Sequence, residues 1–117
     1  MGEQKLADDL PDEAIVCRGG LCTADAFRRG SGVRDLSDGT LEGVSVNSGQ
    51  GVSLADLTRS IPHRQIGTTT VGAIRSAGGT VVRAPTSRNP WHCVMLGLSG
   101  EQAETLFLPT VRNPNTD

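Results

Sequence analysis

The sequence has no tyrosine, one tryptophan and two phenylalanines, so Phe27, Trp91 and Phe107 are its only aromatic side chains. A core built on aromatic stacking is excluded, and Val, Leu, Ile and Ala must supply most of the buried area. Neither sign of charge dominates, because eleven Lys and Arg face thirteen Asp and Glu for a net −2. That balance argues against broad electrostatic binding to DNA or to an anionic membrane, while leaving room for a local basic patch. No apolar run approaches the ~20 residues of a membrane-spanning helix, and the N-terminal stretch is charged rather than an apolar signal segment. These features predict a cytoplasmic protein with no membrane partner. Cysteine is scarce too: Cys17, Cys22 and Cys93 are odd in number and not spaced like zinc ligands, so reduced thiols and no metal site are expected. Cys17 and Cys93 fall in apolar stretches and read as small core residues, whereas Cys22 reads as the exposed one.

What the chain has in plenty is glycine, fifteen residues in 117, which points to tight turns and close backbone approaches. The length suits one domain, expected over residues 13–112, with 1–12 and 113–117 as flexible, polar ends. Ala14 to Cys17 reads as a strand broken by Gly19-Gly20, after which Thr23 caps a helix through Phe27 that stops at Gly30. Asp38-Gly39 reads as a reversal into a strand over Gly43 to Asn47, whose Val44 and Val46 alternate with Ser45 and Asn47. Ser53 with Asp56 caps a helix through Arg59, and Thr69 or Thr70 starts another that buries Val71 and Ile74 and ends at Gly78-Gly79. Strands follow over Thr80 to Ala84 and His92 to Leu98. Ser99 with Gln102 then forms a capping box for the helix Gly100 to Leu108, which turns Ala103, Leu106 and Phe107 inward. The expected fold class is α+β, a small mixed or antiparallel sheet of about four strands with about four short helices.

Five places could carry chemistry. Cys17-Arg18-Gly19-Gly20 ends a strand just before a helix, so Arg18 could grip an anion in a fork while the bare amides of Gly19 and Gly20 assist, which suits phosphate or pyrophosphate. Equally, Arg18 could pair with a surface carboxylate over a plain turn. Asn89-Pro90-Trp91-His92 brings an imidazole to a strand entrance beside an aromatic stacking surface, the pattern of a general acid or base, or of a hydrogen-bonded structural histidine. His63 lies in a turn, and with His92 and Arg18 it could complete an acid, base and phosphate clamp for metal-independent phosphodiester cleavage. Ser45 to Ser48 and the pair Glu101 and Glu104 are further polar candidates that solvation or helix capping would also explain.

Cys17-Arg18-Gly19-Gly20, Gly43-Val44-Ser45-Val46-Asn47 and Asn89-Pro90-Trp91-His92 together resemble, in this order over residues 13–108, small C-terminal toxin domains of bacterial polymorphic toxin systems. The first two motifs are also similar to the arginine strand and the serine strand of ADP-ribosyltransferases. The resemblance implies a toxin-like or effector enzyme that binds NAD through Arg18, Gly19, Gly20 and Trp91. His92, Arg18, Ser45 and a glutamate, Glu104 or Glu101, would then be the catalytic set. It also implies an immunity or regulatory protein as partner. The chain departs from the pattern in two ways: its glutamates fall on a predicted helix, and Cys93-Val94-Met95 follows the histidine where related domains carry an acidic residue. Besides NAD-dependent ADP-ribosyl transfer, the residues leave open a ribonuclease using His92, His63 and Arg18, with a nucleotide or RNA substrate, and a non-catalytic protein-interaction module.

Overall fold

The computed structural model describes residues 10–116. In chain order its elements are β1 (Ile15–Gly19), α1 (Ala24–Arg28), β2 (Arg34–Asp35), β3 (Thr40–Glu42), β4 (Val44–Ser48), α2 (Leu54–Leu57), β5 (Gln65–Thr70), α3 (Val71–Ser76), β6 (Thr80–Arg83), β7 (His92–Leu96), β8 (Leu98–Ser99), α4 (Gly100–Phe107) and β9 (Val111–Arg112). The helices begin where side-chain oxygens can take up orphan amides. Thr23, Ser53, Thr70 and Ser99 each accept from the backbone N–H three residues on, and Ser99 with Gln102 completes a reciprocal capping box.

The α+β class stands, but the expectation of about four strands is corrected: nine occur among the described residues, in a six-stranded sheet ordered β6-β7-β4-β1-β5-β9 and a three-stranded sheet ordered β2-β3-β8. All recorded pairings are antiparallel. Some of the surplus comes from chain breaks at glycine. Gly97 takes a φ of +91°, where a side chain is strained, so the stretch His92 to Leu98 that reads as one strand becomes β7 with β8, and Gly43 at +87° separates β4 from β3, which precedes the expected strand. The unforeseen β5 has another cause. Gln65-Ile66-Gly67-Thr68-Thr69-Thr70 has one large apolar residue and no apolar period, yet its main chain pairs with β1 along five residues and with β9 on its other side.

Alternation along the central strands divides the molecule. Val16, Val44, Val46, Val81, Cys93 and Met95 face one way and form the larger core with Phe27, Val71, Ile74, Ala103 and Phe107 from the helices. Leu41 and Leu98 of the smaller sheet join the same cluster, and the Phe27 and Phe107 rings meet at 5.3 Å and 57°. The opposite face carries Cys17 and Ile66 beneath Leu57 of α2, with Ile61 and Trp91 packed around them. Over β4, β7 and β6 this second face is only partly covered, because Ser45 is exposed and His92, Val94 and Val82 are half-buried.

Two segments differ from their reading in the sequence. Cys22 is 1% exposed, not a surface thiol: it sits beneath Gly67, and a Cβ added there would lie 2.5 Å from its sulfur. The segment after β9 is tied back by Asn113, which is fully buried and whose Nδ2 donates to the carbonyls of Ile61 and His63 at 3.0 and 2.9 Å.

The contact at Gly67 gives a direct test of the larger core. A Cβ there would also stand 3.0 Å from the Phe107 carbonyl oxygen, so Gly67→Ala must push α4 away from β5. The expected loss is about 1–3 kcal/mol, seen as a lower urea midpoint. An unchanged midpoint would show that α4 does not pack on β5 at this distance.

Candidate functional site

A cavity of about 320 Å³ opens on the second face of the large sheet, between β4 and the Ser60–His63 turn. It is lined by Cys17, Arg18, Gly19, Ser45, Val46, Asn47, Ser60, Ile61, Pro62, His63, Asn89 and His92. Antiparallel pairing places Asn47 opposite His92 and Ser45 one pair further along the same face. The imidazole of His92 is held at both nitrogens: Nδ1 lies 2.8 Å from the Ala84 carbonyl oxygen and Nε2 lies 3.1 Å from Ser45 Oγ. A carbonyl can only accept, so in the neutral ring Nδ1 carries the proton, Nε2 is bare, and the Ser45 hydroxyl donates to it. A main-chain carbonyl thus fixes the tautomer that makes Nε2 a base, the arrangement by which a third group orients a catalytic imidazole.

The loop before β7 explains how Asn89-Pro90-Trp91-His92 delivers that ring. Asn89 Nδ2 donates to Asn47 Oδ1 at 2.9 Å, and Asn89 Oδ1 accepts the Trp91 amide at 3.1 Å. Asn47, only 5% exposed, donates its own Nδ2 to the Leu57 carbonyl at 2.7 Å and so satisfies the end of α2. The loop is therefore locked to β4, the strand that carries Ser45.

His63 forms the opposite wall. Its ring lies directly over the glycine turn, where a Cβ on Gly19 would fall 2.6 Å from Nδ1 and a Cβ on Gly20 3.1 Å from Cδ2. The two glycines admit the imidazole, a role different from the anion cradle their sequence suggests. Asn113 holds the loop from behind through the Ile61 and His63 carbonyls. No side-chain partner of the His63 ring occurs among the described residues.

Arg18 borders the cavity but does not reach into it as a fork. Alternation starts its side chain on the larger-core face, where its guanidinium carbon lies 5.1 Å from the Phe27 ring centroid. From there Nη1 donates to the Ser45 carbonyl at 2.8 Å, which lies in the plane of the sheet, and buried Nε has no hydrogen-bond partner among the described residues. Burial lowers the guanidinium pKa from its ordinary value.

The remaining expected residues lie elsewhere. Glu104 Oε1 accepts the Ala24 amide at 2.8 Å, and Glu101 pairs with Arg28, which holds its carboxyl below the usual range. Both stand on α4, packed on the other core, and among the described residues no acidic side chain lines the cavity. Trp91 lines an adjoining hollow instead. Asn47 and Asn89, which fall inside candidate segments but were given no role of their own, and Asn113, which falls in none, position the groups that sequence reading did single out. Their only signal is that buried amides need partners, and those partners are distant in sequence. No protein-family model, curated protein or solved structure matches this chain, so the likeness to toxin domains and ADP-ribosyltransferases rests on its short motifs alone.

The thiol beneath the cavity makes a pH-dependent statement. Burial pushes Cys17 up to about 12 and Cys93 up to about 11, above the ordinary thiol range. The native state therefore keeps protons that the unfolded chain loses from about pH 8.5 upward, and stability is full below that range and falls as pH rises through 11 and 12. Urea midpoints should be level at pH 7 to 8 and decline above 9, with a shallower decline in Cys17→Ala. A midpoint that rises with alkaline pH contradicts the burial of these thiols.

Proposed function

We propose that this cavity is the active site of a metal-independent ribonuclease of the toxin-like or effector type. The observation that carries the reading is the bare Nε2 of His92, fixed by the Ala84 carbonyl and turned toward a cavity that His63 also lines. Two imidazoles on one cavity, with no carboxylate among its described lining residues, fit attack of a ribose 2′-hydroxyl on its own phosphate. A substrate hydroxyl would take the place that the Ser45 hydroxyl occupies at Nε2. His92 accepts its proton as the oxygen attacks phosphorus, and protonated His63 supplies a proton to the departing 5′-oxygen. Ser45 keeps the ring aimed between turnovers. Arg18 fixes the Ser45 main chain from the larger-core side, a positioning part rather than a grip on phosphate.

NAD-dependent ADP-ribosyl transfer is less well supported, because the glutamate it requires would have to come from Glu101 or Glu104, and both already serve α1 and Arg28. An RNA substrate would place the activity in the cytoplasm, and a cell making such an enzyme would need an inhibitory partner.

The test is cleavage of single-stranded RNA in the presence of a chelator and without NAD. His92→Ala and His63→Ala should each lower the rate by about 10²–10⁴-fold while far-UV circular dichroism stays unchanged. NAD consumption without RNA cleavage, or full cleavage by folded His92→Ala, would sink the reading.

A further inference from the structure

Beside the cavity lies a second hollow of about 340 Å³, walled by Trp91, Arg59, Arg88 and Asp56 and sharing Ser60 and Asn89 with the first. We propose that this hollow is a base-binding subsite for single-stranded RNA, in which Trp91 stacks the nucleobase next to the scissile phosphate and Arg88 contacts the neighbouring backbone phosphate. The inference rests on the ribonuclease reading, since the two hollows adjoin at Ser60 and Asn89.

Trp91 is built as a platform. Its ring packs against Gly49, where a Cβ would lie 2.9 Å from Trp91 Cε3. Its amide donates to Asn89 Oδ1 at 3.1 Å, and its carbonyl accepts the Ser48 amide at 3.0 Å. The indole is half-buried and borders the hollow, so a planar ligand can meet a surface whose ordering cost is already met. Stacking of this kind tolerates any base, because every base presents a π-face.

The charges around the platform differ in availability. Arg59 pairs with Asp56 on the same wall, and that carboxylate disfavours a phosphate beside it. Arg88 is exposed and makes no ion pair among the described residues, which places the phosphate on its side of the indole. With a net charge of −2 the chain cannot rely on a general field for nucleic acid, so one stack and one or two local phosphate contacts must carry binding. Such a site has a shallow salt dependence, about −0.7 in log–log slope for each phosphate neutralised on a single strand.

Trp91 is the sole tryptophan, so its fluorescence reports the subsite directly. The probe is an all-deoxy tetranucleotide, which has no 2′-hydroxyl and cannot be cut. The intact protein should show saturable quenching. Binding followed by anisotropy of a labelled tetranucleotide should weaken about tenfold in Trp91→Leu, and severalfold in Arg88→Ala, an exposed position where folding is not at stake. Absence of quenching, affinity unchanged by both substitutions, or equal quenching by an acidic peptide overturns the subsite. Cleavage of RNA without any dependence on Trp91 and Arg88 removes the subsite and spares the ribonuclease reading. Quenching that depends on both residues, with no cleavage of the ribose form, supports base binding here and removes the catalytic reading.

Discussion

The arrangement of the site depends on one buried amide. Asn47 lies almost wholly out of solvent, so both of its polar ends need partners, and it finds them in the Leu57 carbonyl at the end of α2 and the Asn89 amide in the loop before β7. A buried amide left without partners costs about 1–3 kcal/mol, and this is the cost that keeps three separate segments together. α2 is held over Cys17 and Ile66, the Asn89 loop is held against β4, and His92 enters β7 at the height where its ring meets Ser45. Loosening that amide would uncouple the base from the residue that aims it.

The two cores divide the labour. The larger one, on the Phe27 and Phe107 side, supplies most of the apolar burial and receives α1, α3 and α4. The smaller one covers only part of its face, and the uncovered remainder is where polar side chains can stay partly solvated and still be positioned. Arg18 links the two sides. Its side chain rests on Phe27 in the larger core, while its Nη1 holds the main chain of the very residue whose hydroxyl faces His92. The glycine turn after it is flat enough for His63 to lie across it, so a motif that suggests an anion cradle serves to bring in a second imidazole.

Short-range rules made much of the fold legible. Thr23, Ser53, Thr70 and Ser99 cap helices as their spacing indicates, and the alternation of Val44 and Val46 with Ser45 and Asn47 sets the two faces of β4. β5 was not legible, because Gln65 to Thr70 has neither an apolar period nor a run of large β-formers, and its strand conformation comes from pairing with β1 and β9. The burial of Cys22 was equally hidden, since Gly67, the residue that makes room for it, stands 45 positions later. Within the site, Arg18, Ser45, His63 and His92 could be named as candidates, but the company they keep could not.

The sequence by itself determined the fold class, the helix starts and the residue types able to do acid, base or anion chemistry, because these follow from side-chain size, period and hydrogen bonding within a few residues. Only the tertiary structure decided that Ser45, His63 and His92 line one cavity, that Arg18 is turned to the sheet plane, and that Glu104 is spent on the start of α1. Those outcomes depend on strand register and on which face of the sheet each loop crosses. Register is set by pairing between segments that lie tens of residues apart, where no local preference reaches.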